Sequence, residues 1–176
     1  MLTGLNRHLR KRGSKKGYSI AELPAGMIFL FIGIILPLIC LVSISYRGLL
    51  FYFATRDSCV KASKASSFTD AQARANAAFT RAMAGFSEIS GTQSIQIVIK
   101  PLAGGNPVLR SAPLPQNSID TNTQMYLIRE TSVGRLNPLI AMTGGYMGLQ
   151  IPGLTTGFPI RMKYESYVEN PNGLTE

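Results

Sequence analysis

Histidine is almost missing from this chain: His8 is the only one among 176 residues, and it lies in the basic first segment. Elsewhere no imidazole is available as a general base or a metal ligand, which excludes Ser-His-Asp and Cys-His catalysis and any His-ligated metal centre. Tryptophan is absent, and cysteine occurs twice, as Cys40 and Cys59. The two have no zinc-site spacing. On one continuous helix they would lie about 28 Å apart along the axis, whereas a disulfide needs Cα atoms within about 7 Å. An intrachain bridge would require a break in the helix. The expectation is a packed or lipid-facing Cys40 and a free Cys59, with an intersubunit thiol contact as the alternative. No glycine-rich phosphate loop follows a strand pattern, and no pair of carboxylates is singled out by its spacing. The chain reads as a non-enzyme with no cofactor and no metal site.

Acids are scarce as well: nine Asp/Glu stand against 18 Lys/Arg, a net charge of +9. The excess is local. Arg7, Arg10, Lys11, Arg12, Lys15 and Lys16 supply six of the positive charges, and the first 21 residues hold no acid. Residues 18–176 carry 12 Lys/Arg and nine Asp/Glu, or +3. Basic residues beside a first apolar span keep that end cytoplasmic. The charge is therefore a topology signal, with the C-terminal bulk translocated, and no nucleic-acid partner is expected.

The longest absence of charge covers residues 23–46, 24 positions without Asp, Glu, Lys or Arg. As helix this is about 36 Å, against about 30 Å of hydrocarbon core, and it exceeds the apolar region of an ordinary secretory signal. Directly before it stands Lys15-Lys16-Gly17-Tyr18-Ser19-Ile20-Ala21-Glu22. A lone carboxylate at the edge of such a run needs a reason, because an unpaired charge among apolar helices is unfavourable.

This arrangement resembles the class III signal of bacterial prepilins. Gly17-Tyr18-Ser19-Ile20-Ala21-Glu22-Leu23 is similar to the Gly-Phe-Thr-Leu-x-Glu-Leu pattern of type IV pilins. The resemblance implies that a prepilin peptidase cuts between Gly17 and Tyr18 and that the new Tyr18 amine is N-methylated. It also implies that Glu22, the fifth mature residue, pairs with the N-terminal amine of a neighbouring subunit. Gly17 would let the backbone enter the peptidase without side-chain obstruction. Leu23 stands where the family often has an aromatic, and Pro24 is atypical of type IV pilins.

The chain divides into a basic leader (residues 1–17), a hydrophobic transmembrane or filament-core helix (18–46), a helical extension with a second helix (47–90) and a small β-rich periplasmic or extracellular domain (91–176). Pro24 is tolerable as a first-turn proline, while Pro37 should kink or loosen the helix. Arg47 marks the far boundary, and the helical pattern continues to Ser63. Tyr46, Phe51, Tyr52 and Phe53 cluster where a bilayer surface is expected, and a stripe packed on the globular part is a compatible reading. Thr69, with Gln72 three residues on, is a candidate cap for the second helix. Ala71, Ala75, Ala78, Phe79, Ala82 and Phe86 keep helical spacing, and the helix should fade between Gly85 and Gly91. Alternation then predicts strands over 95–100, 124–130 and 159–168. Residues 102–122 read as a loop, and 134–157, with six glycines, as irregular.

The fold class expected is α+β: a long N-terminal hydrophobic helix extending into a second helix, packed on a small antiparallel sheet. The whole order resembles the TadE-like minor pilins or pseudopilins of tight-adherence systems. That resemblance implies a structural subunit whose partners are a prepilin peptidase, other pilin or pseudopilin subunits, an inner-membrane assembly platform and the lipid bilayer. It implies a single pass through the bacterial inner membrane with the N-terminus cytoplasmic and the C-terminal domain periplasmic, or an extracellular place in a pilus. The alternative is a signal-anchored membrane protein with a periplasmic interaction domain and no filament role.

Overall fold

A computed structural model of the chain describes residues 16–140, 145–146 and 148–175, with side chains from Glu22 onward. Residues 1–15 of the basic leader lie outside the described residues. The chain forms two compact units, Met1–Ile39 and Cys40–Glu176.

The described part of the first unit is helical. It comprises α1 (Lys16–Leu30), a π-helical turn (Phe31–Ile35) and the start of α2 (Leu36–Ser63). Proline has no N–H to give to the carbonyl four residues back, and its ring crowds that carbonyl. The turn before Pro37 accordingly widens, and the Leu36 N–H reaches the carbonyl of Phe31, five residues earlier. The loosening expected at Pro37 thus takes the form of a π turn, a usual site of helix deformation. Pro24 departs from expectation. Because α1 begins at Lys16, Pro24 lies inside the helix and not in its first turn. Leu23, Met27, Phe29, Leu30 and Phe31 are all more than half exposed or close to it. Glu22–Ser63, 42 residues, is among the described residues the helical stretch long and apolar enough to cross a membrane by length and composition.

The second unit contains the rest of α2, a second helix α3 (Phe68–Met83) and four strands, β1 (Ile89–Pro101), β2 (Val108–Arg110), β3 (Gln124–Leu136) and β4 (Phe158–Tyr167). The strands form one antiparallel sheet in the order β2-β1-β3-β4. The architecture is α+β. Isoleucines 95 and 97 of β1 and Ile128 of β3 bury one sheet face against Cys59 and Ala62 of α2 and Ala71 and Ala75 of α3. The small alanine side chains let α3 approach closely. A second cluster joins Phe51, Ala54, Phe79, Ile89 and Leu136, with Phe51 and Phe79 edge to face at 5.7 Å.

Helix α2 and strand β3 run in opposite directions along each other. The Cys59 thiol donates to the carbonyl of Ile128 at 3.4 Å, and the Ser58 hydroxyl donates to Glu130. Nearer the start of α2, Gly48 lies under Leu136 and Ile160, and the Arg47 guanidinium donates to the carbonyl of Asn137. Small residues set this approach. Gly91 and Gly134 face each other in register, and the Phe51 ring occupies the space their missing side chains leave. A Cβ on Gly91 would fall 2.8 Å from that ring, and one on Gly134 would fall 2.4 Å from the Ser90 carbonyl.

Three local expectations are corrected. The cap of α3 is Ser67, whose hydroxyl accepts from the Asp70 N–H at 3.1 Å; Asp70, not Gln72, is the returning side chain, accepting from the Ser66 N–H at 3.1 Å. Strand β1 begins before Gly91, and β3 continues six residues past Glu130, since glycines paired beneath an aromatic ring do not interrupt a ladder. The stretch 102–122 contains β2. Of the aromatic cluster, Phe51 is fully buried on the sheet, as the packed-stripe reading expects and against the bilayer-surface one, whereas Tyr46 and Phe53 are exposed.

Candidate processing and assembly site

Gly17 and Tyr18 fall in the first turn of α1. Glu22 is one turn further on, about 6 Å along the axis from Tyr18. Its carboxylate is exposed and forms no ion pair among the described residues. Uncharged helix follows it. Of the residues singled out from the sequence, the fold thus places Gly17, Tyr18 and Glu22 within two turns of one helix. Both cysteines are free and fully buried within the chain.

Other charged groups lie in the second unit. Glu165 receives Lys100 Nζ at 2.7 Å and Arg129 Nη2 at 2.6 Å, and these bonds, the lysine's first, hold its carboxyl below the usual range. Asp70 is likewise lowered, first by its bond from Arg74. Glu130 is different. It is fully buried, with Ser58 donating to one oxygen and Ser132 to the other. Ile95 and Tyr164 are its cross-strand neighbours. Among the described residues no cation forms an ion pair with it. Burial pushes its carboxyl up to about 7, against the pull of the two hydroxyls. Nothing in the sequence distinguished Glu130; its strand pattern marks it only as alternating with Arg129 and Thr131. Among the described residues, no group of three or more His, Cys, Asp or Glu is placed to hold a metal.

Compared with known family models, curated proteins and solved structures, the chain matches none.

Proposed function

We propose that the chain is a structural subunit of a type IV or tight-adherence-type pilus, a minor pilin or pseudopilin assembled from the inner membrane after cleavage between Gly17 and Tyr18. The observation that carries this reading is Glu22: an exposed carboxylate with no ion pair among the described residues, five residues beyond Lys-Lys-Gly and heading a helical stretch long enough to cross a bilayer. The chain supplies no catalytic group; it is the substrate of the peptidase. Lys15 and Lys16 hold the cut site at the cytoplasmic face. Cleavage creates an amine at Tyr18, one turn from Glu22. In lipid, Glu22 sits at the water boundary and complements the positive end of its helix. In a bundle of such helices it becomes dehydrated, and the amine of a neighbouring subunit offsets the desolvation. Only one axial stagger brings the two charges together, so the pair sets register. The apolar side chains of α1 exchange lipid for neighbouring helices. The partners are then the peptidase, sister pilin or pseudopilin subunits, the inner-membrane assembly platform and the bilayer.

Mass spectrometry of the membrane-extracted protein, from hosts with and without prepilin peptidase, tests the reading. The expected result is a chain beginning at N-methylated Tyr18 only where the peptidase is present. An intact N-terminus in both hosts would overturn it and favour a signal-anchored membrane protein with a periplasmic interaction domain.

A further inference from the structure

The connection between β3 and β4 contains a second charge-free stretch. From Leu136 to Ile160 the sequence has no Asp, Glu, Lys or Arg in 25 positions, and Arg135 and Arg161 stand at its two ends. Surface connections between strands are ordinarily polar. Here Leu139, Ile140, Leu149 and Phe158 are each about half exposed or more, a concentration of solvent-facing apolar surface that marks a contact site.

The contacts of α2 fix where this connection lies. Going back along the helix, Gly48 meets Leu136, Arg47 holds the carbonyl of Asn137, and Ile44 reaches Gly153. A Cβ on Gly153 would sit 2.8 Å from Ile44 Cδ1 and 3.8 Å from Phe158. The connection therefore extends past Arg47, the first charge after the apolar run, and lies beside residues that belong to that run. A hydrocarbon core of about 30 Å takes up about 20 residues of helix. Counted from residue 23, the helix then leaves the core close to Ile44.

Among the described residues of the connection several backbone groups are paired, which matters in apolar surroundings, where each unpaired N–H or carbonyl is unfavourable. Tyr146 and Leu149 exchange both N–H···O bonds at 2.9 Å, Gly153 N–H donates to Thr156, and Leu154 and Thr155 N–H groups both donate to the Ile151 carbonyl. The Ile151 N–H is taken by Thr155 Oγ1 at 2.8 Å. Arg135 and Arg161 are exposed and make no ion pair among the described residues, which leaves them available to lipid phosphates at the rim.

We infer that the β3–β4 connection dips into the outer boundary of the bilayer beside Ile44, so that the second unit rests on the lipid through its own apolar surface as well as through its helix. The inference rests on the helix crossing a membrane, and it holds whether or not the chain enters a filament. Its occupant is the lipid leaflet on the side of the second unit.

The absence of native tryptophan allows a direct test with the full chain. Single variants Leu149→Trp, Leu41→Trp and Gln116→Trp are reconstituted into vesicles of phosphatidylethanolamine and phosphatidylglycerol, with and without brominated phosphatidylcholine. The expected result is that Leu149→Trp and Leu41→Trp emit to the blue of Gln116→Trp and lose roughly half their emission to the brominated lipid, while Gln116→Trp responds only to aqueous acrylamide. If Leu149→Trp behaves like Gln116→Trp while Leu41→Trp is quenched by lipid, the inference falls and the membrane helix stands. If Leu149→Trp is shielded from both quenchers, another protein surface covers the connection and the inference falls. If Leu41→Trp also escapes the brominated lipid, the membrane reading fails and takes the inference with it.

Discussion

Phe29 and Phe51 are the same residue on apolar helix, yet Phe29 is 68% exposed and Phe51 is 0% exposed. Phe51 has a sheet of its own chain to cover it, with two glycines cleared for its ring. Among the described residues of the first unit, Phe29 and its neighbours Ile28 and Leu30 are exposed. A run of aliphatic side chains left bare would be unfavourable in water by roughly 1.5–3 kcal/mol for each large residue. The exposed apolar helix of the first unit is compatible with a membrane anchor, while the second unit carries its own core. Apolar patterning alone does not separate these cases; the difference lies in what the rest of the chain brings to the helix.

The contrast can be broken most strongly at Phe51. Phe51→Ala removes the ring from both Phe79 and the Gly91–Gly134 pair, and the second unit is expected to lose about 3–5 kcal/mol, read as a fall in the urea midpoint of the full chain in detergent. Phe29→Ala is expected to leave that midpoint within about 0.5 kcal/mol. An equal loss from both would erase the distinction between the units.

Glu130 sharpens the comparison by pH. Its carboxyl is raised in the fold from an ordinary 4.5 to about 7, so the fold prefers the neutral form. Stability from this group is full below about 4.5 and is lost as pH rises through about 7. Glu130→Gln stays neutral. The variant is expected to lack this loss and to exceed the parent above pH 8 by on the order of 3 kcal/mol. Parallel pH–stability curves for the two would show that the carboxylate is not held in an apolar place.

Smaller effects belong to the surface. Ser67→Ala removes the cap of α3 and is expected to lower stability by about 1 kcal/mol. Asp57→Ala breaks a surface pair with Lys61, in which both partners are about half exposed, and thermal unfolding is expected to change by no more than about 0.5 kcal/mol.

The long helix, its end at Ser63, the alanine face of α3 and the cores of three strands were legible in the sequence because each rests on local periodicity. What was not legible depends on distant partners. Gly91 and Gly134 read as chain breakers, but they are strand residues because Phe51, 40 and 83 positions away, fills their side-chain space. Glu130 read as an ordinary strand residue; its burial follows from α2 setting Ser58 against it. The sequence pointed to Thr69 as the cap, whereas Ser67 with Asp70 has the same three-residue spacing and only the backbone geometry assigns the cap to it. Of the candidate site, the Gly17–Glu22 spacing was visible at once, since it lies within one short segment. That Arg47 and Ile44 meet the β3–β4 connection was not, because it joins residues about 90 to 110 positions apart.

The central claim, that Glu22 serves assembly and not insertion, is tested most directly by comparing Glu22→Ala with the parent in sheared pili and in the membrane pool of the same cells. The account expects equal membrane pools, both beginning at Tyr18, with the variant's share in pili lower by roughly tenfold or more, as loss of a dehydrated charge partner implies. Equal incorporation of the two forms into pili would contradict it.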